Sequence, residues 1–195
     1  RDRSPSRGLG DVYKRQRERS LVEVIRSLTQ PVLGICIGVQ LLCQSSEEGD
    51  TACIGIFDNR VRKFDTLFAE AGILLPDATG TAAPLSDAGS CSARQADVPA
   101  DATILRPAGR LKIPHMGWNS VENLRSELFT GIDQGAYVYY VHSFAPEVNA
   151  DTIATTTYGV PFSAAIRKDN FYGTQFHPEK SASIGAQILQ NFLTL

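Results

Sequence analysis

A cysteine bracketed by glycines lies early in the chain, between a short apolar run and a helical pattern. The segment GICIG at residues 34–38 has the G-x-C-x-G spacing of a nucleophile elbow, with Cys36 as the nucleophile. A sharp turn from strand to helix exposes the central side chain and crowds the nearby backbone, which small residues on either side would relieve. We expect the following helix to direct its first amides at the sulfur and to favour the thiolate. The Ile37 N–H would then donate to the oxyanion of a tetrahedral intermediate.

The alternative interpretation of Cys36 is a buried structural cysteine, which is a common fate of a free thiol. Cys43 and Cys53 lack glycines at this spacing, so we interpret both as structural, and we expect Cys91 to be exposed in a polar segment. The four cysteines match neither a zinc-ligand pattern nor a disulfide framework. This favours a reduced chain in the cytoplasm, and no metal or organic cofactor is implied.

One of the three histidines precedes a carboxylate by two residues, in the sequence QFHPE. Proline restricts His177 to extended conformations, and side chains two apart in an extended segment point to the same side. Glu179 would therefore accept from one imidazole nitrogen and leave the other facing Cys36, as in a cysteine-histidine-carboxylate triad. The alternative is a surface histidine beside a surface glutamate. His115 and His142 have no adjacent carboxylate, so we interpret them as structural or interface histidines.

Helices and strands in alternation must position these residues. Helical spacing runs from residue 17 to 30 and resumes at Ile37, and the apolar run 32–35 predicts a strand buried on both faces of a parallel sheet. Ser181 is expected to cap a final helix, and residues 168–170 suit a hairpin turn. Further strands are predicted at 61–64, 137–144, 152–157, 162–167 and 172–176. This order of elements favours an α/β sandwich around a mixed sheet.

The polar stretch from residue 65 to about 110 is rich in Ala, Gly, Asp, Thr, Ser and Pro and has weak patterning. It predicts a mobile surface insertion. The net charge of −2 gives no electrostatic reason to bind nucleic acid or an anionic membrane. No apolar run approaches the roughly 20 residues that a membrane-spanning helix needs.

Taken together, the segments GICIGVQ and QFHPEKS resemble those of the class I glutamine amidotransferases. The segment LKIPHMGWN at 111–119 resembles more narrowly one branch, the glutaminase subunits of imidazole glycerol phosphate synthase. The resemblance covers residues 18–64 and 111–195 and implies a flavodoxin-like fold with Cys36, His177 and Glu179 as the catalytic triad. It also implies that ammonia from glutamine passes to a (β/α)₈-barrel cyclase in a heterodimer, which forms imidazole glycerol phosphate and AICAR in histidine biosynthesis.

The resemblance also implies roles for residues around the triad. Those expected at the glutamine pocket are Gly38, Gln40, Ser143 and Phe144, the last two through their backbone. Those expected near the docking face for the cyclase are Trp118, Tyr139 and Lys180, although the two aromatic residues could equally be core residues. Two other functions stay open: an amidotransferase for guanylate, anthranilate or aminobenzoate synthesis, and a catalytically inactive fragment that only binds the cyclase.

Residues 1–16 do not resemble the start of this family, whose members carry a strand, a helix and a Pro-Gly-x-Gly loop that supplies another oxyanion donor. Back-translation of residues 6–16 can give an adapter used in transposase-based sequencing libraries, so we interpret 1–16 as a foreign, disordered scar. Residues 17–195 would then be an incomplete amidotransferase domain without its N-terminal strands. Because losing one oxyanion donor costs roughly 100- to 1,000-fold in turnover, we expect the chain as written to be inactive.

Overall fold

The computed structural model of the chain describes residues 21–73 and 111–195. The proposed scar at 1–16, Cys91 and most of the proposed insertion lie outside these residues. The described helices are α1 (Leu21–Arg26), α2 (Ile37–Leu42), α3 (Phe64–Glu70) and α4 (Ala182–Phe192), with 3-10 turns at Glu127–Phe129 and Pro178–Lys180. The described strands are β1 (Val32–Ile35), β2 (Ser45–Ser46), β3 (Thr51–Ala52), β4 (Arg60–Lys63), β5 (His115–Val121), β6 (Ala136–His142), β7 (Phe144–Pro146), β8 (Thr152–Tyr158), β9 (Val160–Lys168) and β10 (Phe171–Thr174).

The sheet that carries the elbow is mixed, as the sequence predicts. Its strand order is β1-β10-β9-β8, with β1 parallel to β10 and the other neighbours antiparallel. The hairpin turn between β9 and β10 is also confirmed, and Asp169 adopts a left-handed φ of 53° there. Both faces of β1 pack against apolar residues, through Leu33 on one side and Val32 on the other, but only Gly34 of its four residues is buried, since β1 is an edge strand of the described sheet. All four residues of β10 are buried instead.

Two hydrophobic clusters place helices on both sides of this sheet. Successive side chains of a strand point to opposite faces, and Phe171 and Tyr172 of β10 accordingly join different clusters. The cluster of Phe171 includes residues of α1 and α2, and the cluster of Tyr172 includes residues of α3 and α4. Full burial of one large apolar side chain contributes about 1.5–3 kcal/mol to the free energy of unfolding, so the helices on both sides stabilise the sheet.

Some predicted boundaries are wrong because distant partners decide them. The helix predicted to residue 30 ends at Arg26, since the Asn170 side chain donates to the Leu28 and Gln30 carbonyls and holds them outside a helix. The strand predicted at 137–144 is broken at Ser143, and β7 pairs with β4 in a second sheet of order β3-β2-β4-β7. The first residues of the proposed insertion belong to helix α3, whose Phe68 is buried. The prediction that residues 65–70 are part of a polar surface segment is therefore wrong.

A pair of buried histidines joins β5 to β6, where His115 and His142 face each other across the ladder. Because the Phe144 carbonyl can only accept, His142 Nδ1 donates to it at 2.8 Å. His142 Nε2 then accepts from His115 Nδ1 at 2.8 Å, and His115 Nε2 accepts from the Asn119 side chain at 3.3 Å. This chain of bonds requires both rings to be neutral, and burial lowers the pKa of His115 to about 2 and that of His142 to about 4. Both are therefore structural histidines, as predicted.

The turn from β1 to α2 is a strained elbow. Cys36 has φ 51° and ψ −105°, and its N–H donates to the Thr174 carbonyl at 2.8 Å. A Cβ on Gly34 would lie 2.8 Å from backbone atoms of Gly38 and Val39, whereas a Cβ on Gly38 would meet nothing within 4 Å. The crowding argument is thus confirmed for Gly34 and wrong for Gly38, because α2 leaves the turn in a direction that frees Gly38.

We predict that Gly34→Ala destabilises the fold by about 1–3 kcal/mol, since the added methyl group must displace backbone atoms. Gly38→Ala is the matched control and should leave stability unchanged or raise it by up to about 1 kcal/mol, as alanine favours a helix more than glycine does. Urea unfolding of both variants measures the difference. Equal destabilisation by the two substitutions would contradict this account of the elbow.

We also predict that the free energy of unfolding falls as the pH is lowered from about 6.5 to 4.5. In this range His115 and His142 become protonated in the unfolded chain but stay neutral in the folded one. Each histidine contributes a limiting slope of about 1.4 kcal/mol per pH unit, and the full stability is present above pH 6.5. His115→Phe should reduce the slope by one histidine's share. Urea midpoints measured across this range test the prediction, and a flat profile for the unsubstituted chain would refute it.

Candidate active site

The thiol at the elbow is half-buried and has one side-chain partner. Its Sγ accepts a hydrogen bond from Gln175 Nε2 at 3.7 Å. Burial is the largest influence and raises the pKa of Cys36, while the backbone N–H of Ile37 lowers it. The helix amide thus acts in the direction that the sequence predicts, but desolvation of the charged form outweighs the donors around the sulfur. Cys43 and Cys53 are buried, as predicted for structural cysteines.

The predicted imidazole–carboxylate contact is present. His177 Nδ1 and Glu179 Oε1 lie 2.8 Å apart. The local geometry is not the extended one that was predicted, because only His177 is extended and Glu179 lies in the 3-10 turn that follows Pro178. With Nδ1 donating to the carboxylate, Nε2 is left as an acceptor, and it is buried with no hydrogen-bond partner in the part of the chain that the structure describes. Such an unpaired nitrogen typically costs about 1–3 kcal/mol, so its retention points to use in chemistry.

The base is held by backbone contacts with neighbouring elements. The His177 N–H donates to the Tyr139 carbonyl of β6 at 2.9 Å. Ser181 occupies the N-cap position of α4, as predicted, but its side chain does not cap the helix. Its hydroxyl instead donates to the His177 carbonyl at 2.6 Å and accepts from the Tyr139 N–H at 3.0 Å. Helix α4 packs closely under the same turn, since a Cβ on Gly185 would lie 1.8 Å from the Pro178 carbonyl oxygen.

Residues predicted for the glutamine pocket meet beside the elbow. The buried Gln40 side chain donates through Nε2 to the Phe144 carbonyl at 3.1 Å and to Gln175 Oε1 at 2.9 Å. The neighbouring Ser143 carbonyl accepts from the Phe64 N–H at 3.1 Å, which fixes the break between β6 and β7. Gly38 lies on the same helix as Gln40. The structure therefore joins Gln40 to the Ser143–Phe144 segment through one backbone carbonyl, while no contact in the described ranges ties Gly38 to that carbonyl.

Two residues at this site were not predicted to act there. Gln175 lies within the QFHPE sequence, but a glutamine at a strand end carries no chemical signal, and its partner Cys36 is 139 positions away. His142 was expected to be structural, and its bond to the Phe144 carbonyl makes it a support of the pocket as well. Gln175 and His142 reach the site only through the pairing of β1 with β10 and the break between β6 and β7 at Ser143. No local sequence pattern could therefore have predicted their roles.

The three residues predicted for the docking face form one cluster beside the base. Trp118 and Tyr139 are opposite each other in the β5–β6 ladder, with ring centroids 6.1 Å apart. Lys180 Nζ lies 6.0 Å from the centroid of the Tyr139 ring. Trp118 is only 7% exposed, as the core alternative requires, so Tyr139 and Lys180 provide most of the accessible surface of the cluster.

Residues 21–73 and 111–195 contain neither a metal-binding cluster nor a membrane-spanning helix. Within those ranges, no three His, Cys, Asp or Glu side chains are grouped so as to hold a metal ion. None of the described helices is both long and apolar enough to cross a membrane. The described site thus offers a thiol, an imidazole oriented by a carboxylate, and backbone donors, a set suited to nucleophilic acyl transfer.

Comparisons with known proteins agree with this chemistry. The profile of the family "Glutamine amidotransferase class-I" matches residues 6–195. The imidazole glycerol phosphate synthase subunit HisH of Bacteroides fragilis is 41% identical over 179 residues, and that of Escherichia coli K12 is 42% identical over 181; each match covers 92% of this chain and 71% of the relative. The crystal structure of a candidate GMP synthase protein from Thermoplasma acidophilum has a TM-score of 0.50 at 18% identity. That match covers 90% of this chain and 62% of the solved one, and it shows the fold alone. The chain belongs to the class-I glutamine amidotransferase family.

Proposed function

We propose that Cys36 is the nucleophile, and His177 and Glu179 the pair that moves the proton, in the hydrolysis of glutamine to glutamate and ammonia; the inactivity expected of the chain as written, which would lack one oxyanion donor, stays a prediction. One observation carries the proposal: within residues 21–73 and 111–195, His177 Nε2 is a buried acceptor with no partner, while Nδ1 is fixed by Glu179. The 41% and 42% identities to HisH subunits support it further.

The raised pKa of Cys36 decides how the reaction begins. Because burial keeps the sulfur protonated at rest, the thiol must lose its proton as it attacks the side-chain amide carbon of glutamine. His177 Nε2 accepts that proton, and the imidazolium is stabilised by Glu179. The oxyanion of the tetrahedral intermediate takes the Ile37 N–H as one donor.

The remaining steps return the site to its starting state. The imidazolium gives its proton to the departing amine, the C–N bond breaks, and ammonia leaves a glutamyl thioester on Cys36. Water then gives a proton to His177 and attacks the thioester carbon, and the sulfur leaves as the thiol after taking the proton back. Glutamine and water are thus converted to glutamate and ammonia with no other reactant.

The likeness to HisH subunits supports a proposal for where the ammonia is used. We propose that the chain works in the cytoplasm as a heterodimer with a (β/α)₈-barrel cyclase, which uses the ammonia to make imidazole glycerol phosphate and AICAR. The docking face is the cluster of Trp118, Tyr139 and Lys180. It lies next to the base, because the Tyr139 carbonyl holds the His177 N–H and Lys180 follows Glu179 in the same turn.

We predict that a glutamine analogue with a diazoketone in place of the side-chain amide alkylates Cys36. Labelling needs one bond-forming step, so it is measurable even where turnover is slow, and mass spectrometry of the Cys36 peptide follows it. His177→Asn should slow labelling by about 100-fold or more, because the proton acceptor is lost. Cys53→Ala is the control and should label like the unsubstituted chain, whereas labelling that survives in Cys36→Ala would refute the assignment.

We predict that Lys180→Ala weakens binding to the cyclase subunit of imidazole glycerol phosphate synthase by about tenfold, since it removes the exposed charge of the docking face. Titration calorimetry measures the change. Lys168→Ala, which removes a lysine paired with Asp58 at the β9–β10 turn, is the matched control and should bind normally. Unchanged affinity in the Lys180 variant, or equal loss in both, would count against this docking face.

A further inference from the structure

We propose that Gln175 is a positioning residue for the nucleophile, whose side-chain amide holds the Cys36 sulfur and ties it to the carbonyl that borders the glutamine pocket. This inference rests on the proposed function only in naming Cys36 as the nucleophile. It assigns a role to a residue outside the triad.

The orientation of the Gln175 amide follows from the bonds around it. The Phe144 carbonyl can only accept, so the atom of Gln40 that contacts it at 3.1 Å is the nitrogen. That nitrogen has a second hydrogen, which it donates over 2.9 Å to Gln175 Oε1. The NH₂ group of Gln175 is consequently the end that faces the sulfur, at 3.7 Å. The direction of every donor in this chain is fixed by a backbone carbonyl.

Gln175 has little freedom to do anything else. Its side chain is fully buried, and its backbone N–H donates to the Ala164 carbonyl of β9 at 2.8 Å. The preceding residue, Thr174, accepts the Cys36 N–H at 2.8 Å. Two consecutive residues at the end of β10 therefore hold the backbone and the side chain of the nucleophile. The sulfur is set relative to the sheet by two contacts rather than one.

The contact with the sulfur changes in strength during catalysis. An N–H bond to a neutral thiol is weak, but a bond to an ionised sulfur is charge-assisted and about twice as strong as a neutral one. Burial opposes ionisation of Cys36, and the Gln175 amide and the Ile37 N–H are the donors that oppose this effect. Gln175 thus stabilises the thiolate that attacks the substrate, besides fixing its position. A glutamine that only joined β10 to α2 would neither stabilise the thiolate nor fix the position of the sulfur.

The pH dependence of Cys36 alkylation by iodoacetamide separates these roles. The charged groups that act on the sulfur are Glu179 and Lys180 of the 3-10 turn, and His177 is the titratable group at the start of that turn; all three stay in place in the variants. In Gln175→Met, the midpoint should rise by about one pH unit, and the rate below the midpoint should fall about tenfold. Quantifying the Cys36 peptide by mass spectrometry excludes the other cysteines.

Gln175→Glu keeps the shape and the acceptor for Gln40 but loses the donor to the sulfur, so it serves where the methionine variant does not fold. Gln175→Glu should raise the midpoint of the alkylation profile by more than Gln175→Met does, since a carboxylate next to a thiolate repels it. Gln187→Met, on the exposed side of α4, is the control and should keep the unsubstituted profile.

A folded Gln175 variant that alkylates with the unsubstituted pH profile would overturn the proposal. Iodoacetamide needs no glutamine pocket, so this result is independent of whether the chain hydrolyses glutamine. Failure of the proposed function would appear instead as absent labelling by the glutamine analogue, with the iodoacetamide profile unaffected.

Discussion

The parallel pairing of β1 with β10 is the contact on which the site depends. Ile35 lies opposite Thr174, so the next residue of each strand, Cys36 and Gln175, leaves the sheet at the same edge. The carboxyl ends of parallel strands meet at one edge, which is where open α/β sheets generally place their functional groups. The proposed nucleophile, at the end of the first described strand, therefore lies beside Gln175, which follows the last strand and precedes the proposed base His177 by two residues. The two glycines that allow this, Gly34 and Gly173, lie opposite each other in the register, and each packs tightly against α2.

The site combines several features that a fold selected for stability alone would avoid. Cys36 has a positive φ, its thiol is held where ionisation is disfavoured, and His177 Nε2 is buried with no partner among the described residues. The positive φ and the unpaired nitrogen each cost on the order of 1–3 kcal/mol. The surrounding structure holds them in place, through α4 under the histidine turn and the two hydrophobic clusters on either side of the sheet. Local costs that coincide at one place are characteristic of a functional site.

The sequence predicted the strand-turn-helix around Cys36 and the contact between His177 and Glu179, because both follow from local spacing. It could not predict the break at Ser143, since every residue from 137 to 144 suits a strand and only pairing with β4 divides them. The motif likewise indicates the helix amide that lowers the pKa of Cys36 but not the burial that outweighs it. Gln175 was missed because its meaning depends on a partner far away in the chain.

The resting thiol and the unpaired imidazole nitrogen have complementary roles in the proposed mechanism, as proton donor and proton acceptor. A sulfur kept protonated by burial is a poor nucleophile, and it stays so until a proton acceptor is available. His177 Nε2 is such an acceptor, because Glu179 fixes the hydrogen on Nδ1. Moving the proton from sulfur to nitrogen gives the buried nitrogen its hydrogen and creates a thiolate that Gln175 and Ile37 stabilise by donation. The new imidazolium is stabilised by Glu179 in turn. In the proposed mechanism this transfer creates two charges in a half-buried site, which is why the donors need to be fixed before the substrate arrives.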